Sequence, residues 1–308
     1  MLVITNDDVR RVTDISRLGQ VLQQAYLSWL PDKVAIQPRF RTEVDGFKLV
    51  SMGAVLKDIG YAGCKIYSSY ENKLCFKILL FSTSTGQALA LLDSDALTPM
   101  RTAASSLLVA RRYAQPSSHS LGVIGLGPLG IEHIRQFIKA FPISRVLVCD
   151  PKVSSAYLDA ELKEKGIRVH QVEAEKLVRS SQIIVTATRS TTPVLQSSWV
   201  QDGTFVAAIG SCLAHAQELD PHLIDRAQKI VVEWPEQTLK DTGDLYLYAD
   251  KKALLSKIEA MTQTLQENGS AYDPKNIVIY KAVGIALADI AAASLVYEQH
   301  KLSFTVER

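Results

Sequence analysis

The chain has 308 residues, 47% of them hydrophobic, enough to bury one or two cores, so two domains are expected and a small stapled scaffold is excluded. Its 34 basic and 32 acidic residues are well mixed and give a formal charge of +2, which leaves no electrostatic footprint for nucleic acid or a membrane surface. Cys64, Cys75, Cys149 and Cys212 form no CxxC pair and the histidines show no HExxH spacing, so no metal is expected; MLVITNDDVRR does not read as a signal peptide and no run is long enough to cross a bilayer, so the cytoplasm is the expected location. The expected partners are small molecules and a second copy of the chain.

Residues 1–30 read as a short strand (LVIT), a polar cap and an amphipathic helix around Leu18, Val21, Leu22, Ala25 and Tyr26. From Pro38 the strand-like runs PRFRTEV, FKLVSMGAV, YAGCKIYSSY and CFKILLFST follow, closed by Thr85-Gly86 before QALALLD, which predicts a sheet domain. Lys65 lies in one of these runs. It reads either as a desolvated amine titrating near neutrality or as a strand-edge side chain with its ammonium in water.

In Leu97-Thr98-Pro99-Met100-Arg101-Thr102, Thr98 is the expected N-cap and Pro99 the first helical residue, which puts Arg101 and Thr102 in the first turn. A guanidinium added to the positive end of a helix suits a carboxylate or phosphate; the alternative is an ordinary exposed arginine in a connecting helix.

Leu121–Gly130 (LGVIGLGPLG) then combines a buried strand, a G-x-G-x-x-G turn and a helix spaced by Ile131, Ile134, Phe137, Ile138 and Phe141. Gly125 allows the tight turn, Gly127 lets backbone approach a pyrophosphate and Gly130 lets the helix that begins at Ile131 pack on its strand, with Pro128 and Leu129 as the intervening cofactor-binding positions. A second run, Arg145–Cys149, ends in Asp150, placed to accept hydrogen bonds from an adenosine ribose. Dinucleotide binding follows. The acid without a following arginine favours NAD over NADP, with Lys152 as the opposing signal.

Strands and helices alternate onward through RVHQV, QIIVTAT, TFVAAIG and KIVVEW, the pattern of a doubly wound parallel sheet in an α/β domain. Ligands bind at the carboxyl ends of such strands, which here are Thr186-Ala187-Thr188 and Ile209-Gly210-Ser211-Cys212. Lys251–Asn268 reads as one long polar helix. After it come NIVIYKAVG and an Ala-rich helix whose Ala286, Ala288, Ala291 and Ala292 suit a domain junction or subunit interface.

PRF with Arg39, AGCK with Lys65, TGQALALLD, LTPMRTAAS with Arg101 and Thr102, GLGPLG, QIIVTAT, GSCLAHAQELD and AVGIALAD together resemble the ornithine cyclodeaminase/μ-crystallin family, from about Pro38 to the end of the chain. The resemblance implies a Rossmann nucleotide domain, residues 114–276, inserted into a mixed α+β substrate and dimerisation domain, residues 1–113, to which a C-terminal helix, residues 277–308, returns. It also implies a homodimer paired through the sheet domains. Arg39 and Arg101 match the pair that holds the substrate carboxylate, Lys65 the active-site lysine, and Thr102 a residue that meets the cofactor phosphates.

Some positions depart from the cyclodeaminase pattern: Cys212 stands for its catalytic aspartate, Ala216 for a lysine and Ala282 for a serine, and no acid lies near Lys48–Met52. A small buried residue at a strand end is the plain reading of Cys212. The expected activity is therefore NAD-dependent hydride transfer at the α carbon of a 2-imino or 2-amino acid, of the ketimine reductase, pyrroline-2-carboxylate reductase or amino-acid dehydrogenase type. The alternatives are an ornithine cyclodeaminase and a non-enzymatic binding protein of the μ-crystallin kind.

Overall fold

In the strand Phe47–Leu56 every second residue from Val50 to Leu56 is buried, as expected where one face of a sheet lies on a core and the other does not. The computed structural model describes residues 1–71 and 73–306 and divides into two units, Met1–Ser105 with Gly284–Arg308, and Ser106–Val283.

The first unit holds β1 (Leu2–Ile4), α1 (Asn6–Val12), α2 (Ile15–Leu27), β2 (Val34–Ile36), β3 (Phe40–Val44), β4 (Phe47–Leu56), β5 (Tyr61–Tyr70), β6 (Lys73–Ser82) and β7 (Ala88–Asp93). These strands form one sheet in the order β1-β7-β6-β5-β4-β2, with β3 also on β4; β1 runs parallel to β7 and the other pairs are antiparallel. The C-terminal helix, Ala286–Val306, packs on α2, β4, β5 and β6. Apart from Asp289 and Ser294 its first half is apolar and buried on all sides, the expected state of a helix without a solvent-facing polar stripe. Gly63 makes the approach of this helix feasible: a Cβ there would lie 2.5 Å from the Leu79 carbonyl oxygen and 2.8 Å from Cδ1 of Ile290.

The opposite face of the sheet carries Phe40, Val44, Phe47, Leu49, Val55 and Ile66, all exposed and placed on one side by the β3–β4–β5 register.

The second unit begins within α3 (Leu97–Tyr113) and continues through β8 (Ser120–Ile124), α4 (Pro128–Ala140), β9 (Arg145–Cys149), α5 (Ala156–Lys163), β10 (Arg168–Gln171), α6 (Ala174–Arg179), β11 (Ile183–Thr186) and β12 (Phe205–Ala208). It ends with α7 (Pro221–Arg226), β13 (Ala227–Val232), α8 (Pro235–Asp241), α9 (Gly243–Tyr246), α10 (Lys251–Lys257), β14 (Ile258–Ala260), α11 (Met261–Gln266) and β15 (Ile277–Lys281). All eight strands are parallel, in the order β10-β9-β8-β11-β12-β15-β13-β14, so the winding reverses between β8 and β11. That is the topological switch point where open α/β sheets bind ligands.

The divisions fall at Ser105/Ser106 and Val283/Gly284 instead of near Tyr113 and Asn276. Residues 277–281 do not accompany the C-terminal helix, because Ile277–Lys281 is buried along its whole length and its backbone pairs with both β12 and β13. Lys251–Asn268 is not one helix. Ile258–Ala260 breaks it by pairing with Ile230–Val232 at the sheet edge, where ladder hydrogen bonds outweigh local helix preference. No helix among the described residues is long and apolar enough to cross a membrane.

Candidate active site

Lys65 is an inward-facing residue of β5, with Met52 of β4 and Ile78 of β6 as its cross-strand partners, and it is 1% exposed. An ammonium so placed must find acceptors inside the protein. Its Nζ donates to Thr98 Oγ1 at 2.7 Å and to Asp289 Oδ1 at 2.9 Å, and lies 4.7 Å from the centre of the Phe76 ring. The strand-edge reading of Lys65 is thereby excluded: β5 is an interior strand.

Arg101 is 4% exposed and donates from Nε to the same Asp289 Oδ1 at 2.9 Å, so it is not an exposed arginine of a connecting helix. Arg39, half-buried, donates from Nη2 to the Gly284 carbonyl oxygen at 2.9 Å. Gly284 has φ +80°, and a Cβ there would lie 3.0 Å from Nη2 of Arg101 and 3.5 Å from Nη2 of Arg39. The glycine supplies a left-handed turn and also leaves room for two guanidiniums to converge.

Three cations and one carboxylate thus meet in the first unit. Burial drives the Lys65 amine down to about 8; Asp289 pulls it up, while Arg101 and Arg39 push it further down. Burial alone would raise the Asp289 carboxyl, but the charges of Arg101 and Lys65 outweigh it and hold the group below the usual aspartate value.

Thr98 is not the helix cap. α3 begins at Leu97, and the Thr98 hydroxyl donates to the Ser94 carbonyl at 2.7 Å, which turns its lone pairs to Lys65. Pro99 is therefore the third helical residue, tolerated because a first-turn N–H has no intrahelical acceptor. Thr102 is buried, and its hydroxyl donates to the Thr98 carbonyl at 2.7 Å.

In the second unit the glycine turn follows β8. Gly125 has φ +100°, and a Cβ on it would lie 2.6 Å from the Ala187 carbonyl oxygen; one on Gly130 would lie 2.0 Å from the Gly125 oxygen. These two glycines are required by the backbone. Gly127 meets nothing within 4 Å of where a Cβ would be, so its freedom leaves an open approach. It is also the N-cap of α4, with Pro128 at the first helical position and the N–H groups of Leu129 and Gly130 in the unsatisfied first turn, a seat for phosphate oxygens. The helix starts at Pro128, not Ile131.

Asp150, directly after β9, accepts from Leu126 N (2.8 Å) on one oxygen and from Lys152 N (2.8 Å) and Val153 N (3.0 Å) on the other. Partial burial acts to raise its pKa, yet the three N–H donors keep it lowered, so it is an anion. A carboxylate has about four acceptor sites, which leaves it able to take one further hydroxyl. At the ends of β11 and β12, Thr186 is fully buried with no hydrogen-bond partner for its hydroxyl among the described residues, and Ala187 and Thr188 lie beside Gly125 and Gly210. A Cβ on Gly210 would lie 2.3 Å from Thr188 N. Open glycine backbone, a free helix start and an anchored acid at a switch point fit a dinucleotide.

Two carboxylates were not singled out from the sequence. Asp289 had a signal, a lone acid in the apolar run IALADIAAAS, which must be paired if the helix is buried. Glu218 had only its place beyond Cys212. It accepts from Thr188 N and Oγ1 (2.7 and 2.8 Å), Gly210 N (2.8 Å) and Ser211 N (3.0 Å), and so ties the loops after β11 and β12 together. Cys212 is half-buried in the second of these loops.

The model of the ornithine cyclodeaminase/mu-crystallin family matches residues 1–303. A Delta(1)-pyrroline-2-carboxylate reductase of Bacillus cereus is 31% identical over 97% of this chain and 96% of its own. Among solved structures, a probable ornithine cyclodeaminase of Bordetella pertussis superposes with a TM-score of 0.93 at 37% identity, covering 98% of both chains. An archaeal alanine dehydrogenase dimer with bound NAD gives a TM-score of 0.90 at 26% identity, covering 99% of this chain and 97% of that one. With two units of the same architecture and a match over nearly its whole length, the chain belongs to the ornithine cyclodeaminase/mu-crystallin family.

Proposed function

We propose that this protein is an NAD-dependent oxidoreductase that transfers a hydride at the α carbon of a 2-imino or 2-amino acid. The observation that carries the reading is the convergence of Arg39, Lys65 and Arg101, with Lys65 desolvated to a pKa of about 8. The pyrroline-2-carboxylate reductase and alanine dehydrogenase relatives support it.

Arg39 and Arg101 hold the substrate carboxylate as a two-armed clamp, which fixes the adjacent carbon in one orientation. Lys65 carries the proton that the imine nitrogen needs on reduction and takes it back on oxidation; a pKa near the working pH suits both directions. An imine beside an ammonium and an iminium beside a neutral amine contain the same number of protons, so either binds without changing the charge of the site. When bound, the cofactor would accept the hydride as NAD+ or supply it as NADH. Gly125, Gly127, Gly130 and the start of α4 hold its phosphates, Asp150 its adenosine ribose, and Thr186, Ala187, Thr188 and Gly210 line the strand ends beside it, with Thr102 as a further phosphate contact. The Asp150 carboxylate disfavours a 2′-phosphate, so NADH is preferred to NADPH.

The apolar outer face of the first sheet is covered by a second copy of the chain. Phe40, Val44, Phe47, Leu49, Val55 and Ile66 are all exposed on that one face, apolar surface of the kind that a partner protein covers. Light scattering at micromolar concentration should give the dimer mass; a monomer would contradict this.

The functional test is NADH oxidation with pyrroline-2-carboxylate, piperideine-2-carboxylate and pyruvate plus ammonium, beside proline and ammonia formation from ornithine with NAD. Turnover of an imino acid is expected. With Cys212 and Ala216 where cyclodeaminases carry an acid and a lysine, nothing there takes the proton of the ornithine side chain, so that conversion should be weak. Efficient proline formation without net NADH change would overturn the reading.

A further inference from the structure

We propose that Asp289 is a positioning residue of this site: its single oxygen Oδ1 ties the Lys65 ammonium to the Arg101 guanidinium, so that the proton donor and the carboxylate clamp are held as one rigid body. The inference rests on the proposed roles of Lys65 and Arg101. Its geometry stands apart from them.

Both donors reach the same atom at 2.9 Å, Lys65 from β5 and Arg101 from α3, while Asp289 comes from the C-terminal helix. Three elements distant in sequence therefore share one anchor. Because Asp289 engages Nε of Arg101, it is the Nη1/Nη2 edge that faces Gly284, at 3.4 and 3.0 Å from a Cβ built there, on the side where Arg39 also lies. That edge can pair end-on with a carboxylate through two parallel hydrogen bonds.

Packing alone gives no reason for an acid here. Asp289 is the only charged residue between Ile285 and Val296, is 0% exposed, and sits where leucine or alanine would bury well. Gly63, two residues before Lys65, admits the neighbouring Ile290 and so lets the helix come near enough for the contact.

Asp289 also acts on the proton. The groups around the Lys65 amine are Met52 of β4, Phe76 and Ile78 of β6, Thr98 and Arg101 of α3, Arg39 before β3 and Asp289 itself. Among the charged ones, Arg101 and Arg39 favour the neutral amine and only Asp289 favours the ammonium.

Asp289→Asn keeps the shape and removes the charge. The basic limb of the reductive kcat profile should move to lower pH by about one unit, and KM for the imino acid should rise roughly tenfold as the clamp loosens, while NADH affinity stays unchanged. An independent readout is the pH dependence of Lys65 acetylation by acetic anhydride, followed by mass spectrometry; the midpoint should fall in the variant. This works in the absence of turnover, so failure of the functional reading and failure of the positioning role are separable. A uniform loss of kcat with limb, KM and labelling midpoint unmoved would mean a structural role only and overturn the proposal. If Asp289→Asn yields no folded protein, Asp289→Glu decides: the charge is kept and the geometry displaced, so a wild-type labelling midpoint with raised KM is expected, and an unchanged KM overturns the proposal.

Discussion

Asp289 in the first unit and Glu218 in the second are both 0% exposed, and both have two or more donors within hydrogen-bonding distance. Their charge states are nonetheless pushed in opposite directions. Around Asp289 the donors are full cations, and their field overcomes burial and lowers the carboxyl. Around Glu218 the donors are backbone N–H groups and a hydroxyl; burial dominates and raises the carboxyl, with Lys281 acting against it and Asp244 with it. Lys281 is itself paired with Asp244 at 2.8 Å, so its help to Glu218 is shared. Peptide dipoles can fix the shape of loops without fixing a charge, whereas cations fix both. The first cluster suits the proton transfer proposed above, and the second holds a backbone.

The largest effect should come from the charge-built cluster. Lys65→Met removes the amine and keeps most of the volume, so kcat should fall by roughly 10²–10⁴-fold, the usual worth of a positioned acid or base. NADH binding followed by fluorescence should stay near wild type. Retention of most of kcat would remove Lys65 from the mechanism.

The pH profile comes next. With Lys65 at about 8, reductive kcat should fall as pH rises through that value, because the ammonium is the proton donor, and the oxidative direction should show the mirror image. A flat reductive profile from pH 7 to 9 would contradict the assignment.

The shape-built cluster predicts a stability effect. Glu218→Gln turns an amide NH₂ toward backbone donors, leaving at least one unsatisfied at a cost of about 1–3 kcal/mol in urea unfolding. The two acids should also differ in sign. Because the folded pKa of Glu218 is raised from 4.5, its contribution is complete below that value and is lost as pH rises through the folded pKa. Because that of Asp289 is lowered from 3.8, its contribution is present above 3.8 and is lost as pH falls through the folded pKa. Comparing Glu218→Gln and Asp289→Asn with wild type across pH should therefore remove slopes of opposite sign; slopes of the same sign would end the contrast.

The smallest effect belongs to the half-buried Asp150 of the proposed nucleotide site. Asp150→Ala should narrow the preference for NADH over NADPH by about tenfold in kcat/KM, the scale of one like-charge contact. A native preference for NADPH would overturn the reading of this residue.

Much of the nucleotide unit was legible from the chain alone because its rules are local. Gly125 and Gly130 are demanded by backbone atoms at most five residues away or on the next strand, and the buried parallel strands show as continuous runs of Val, Ile and Ala. The sheet strands of the first unit were equally plain from their alternation. Local pattern failed where a tertiary partner competed with it: Lys251–Asn268 carries helical spacing, but an open sheet edge beside Ile258 captured its middle. Thr98 likewise looks like a cap until Lys65 becomes its partner.

What the sequence by itself determined is the presence of a dinucleotide turn, two sheets, and the identities of Arg39, Lys65 and Arg101 as the residues to watch. Whether Lys65 lay in water or in the core, and whether Arg101 was exposed, only the tertiary structure decided. The contacts that settle both run from residue 289 to residues 65 and 101, separations of 224 and 188 positions. No periodicity or spacing reports on such distances; they exist only once the C-terminal helix lies on the sheet and a carboxylate, removed from water, has to find its cations there.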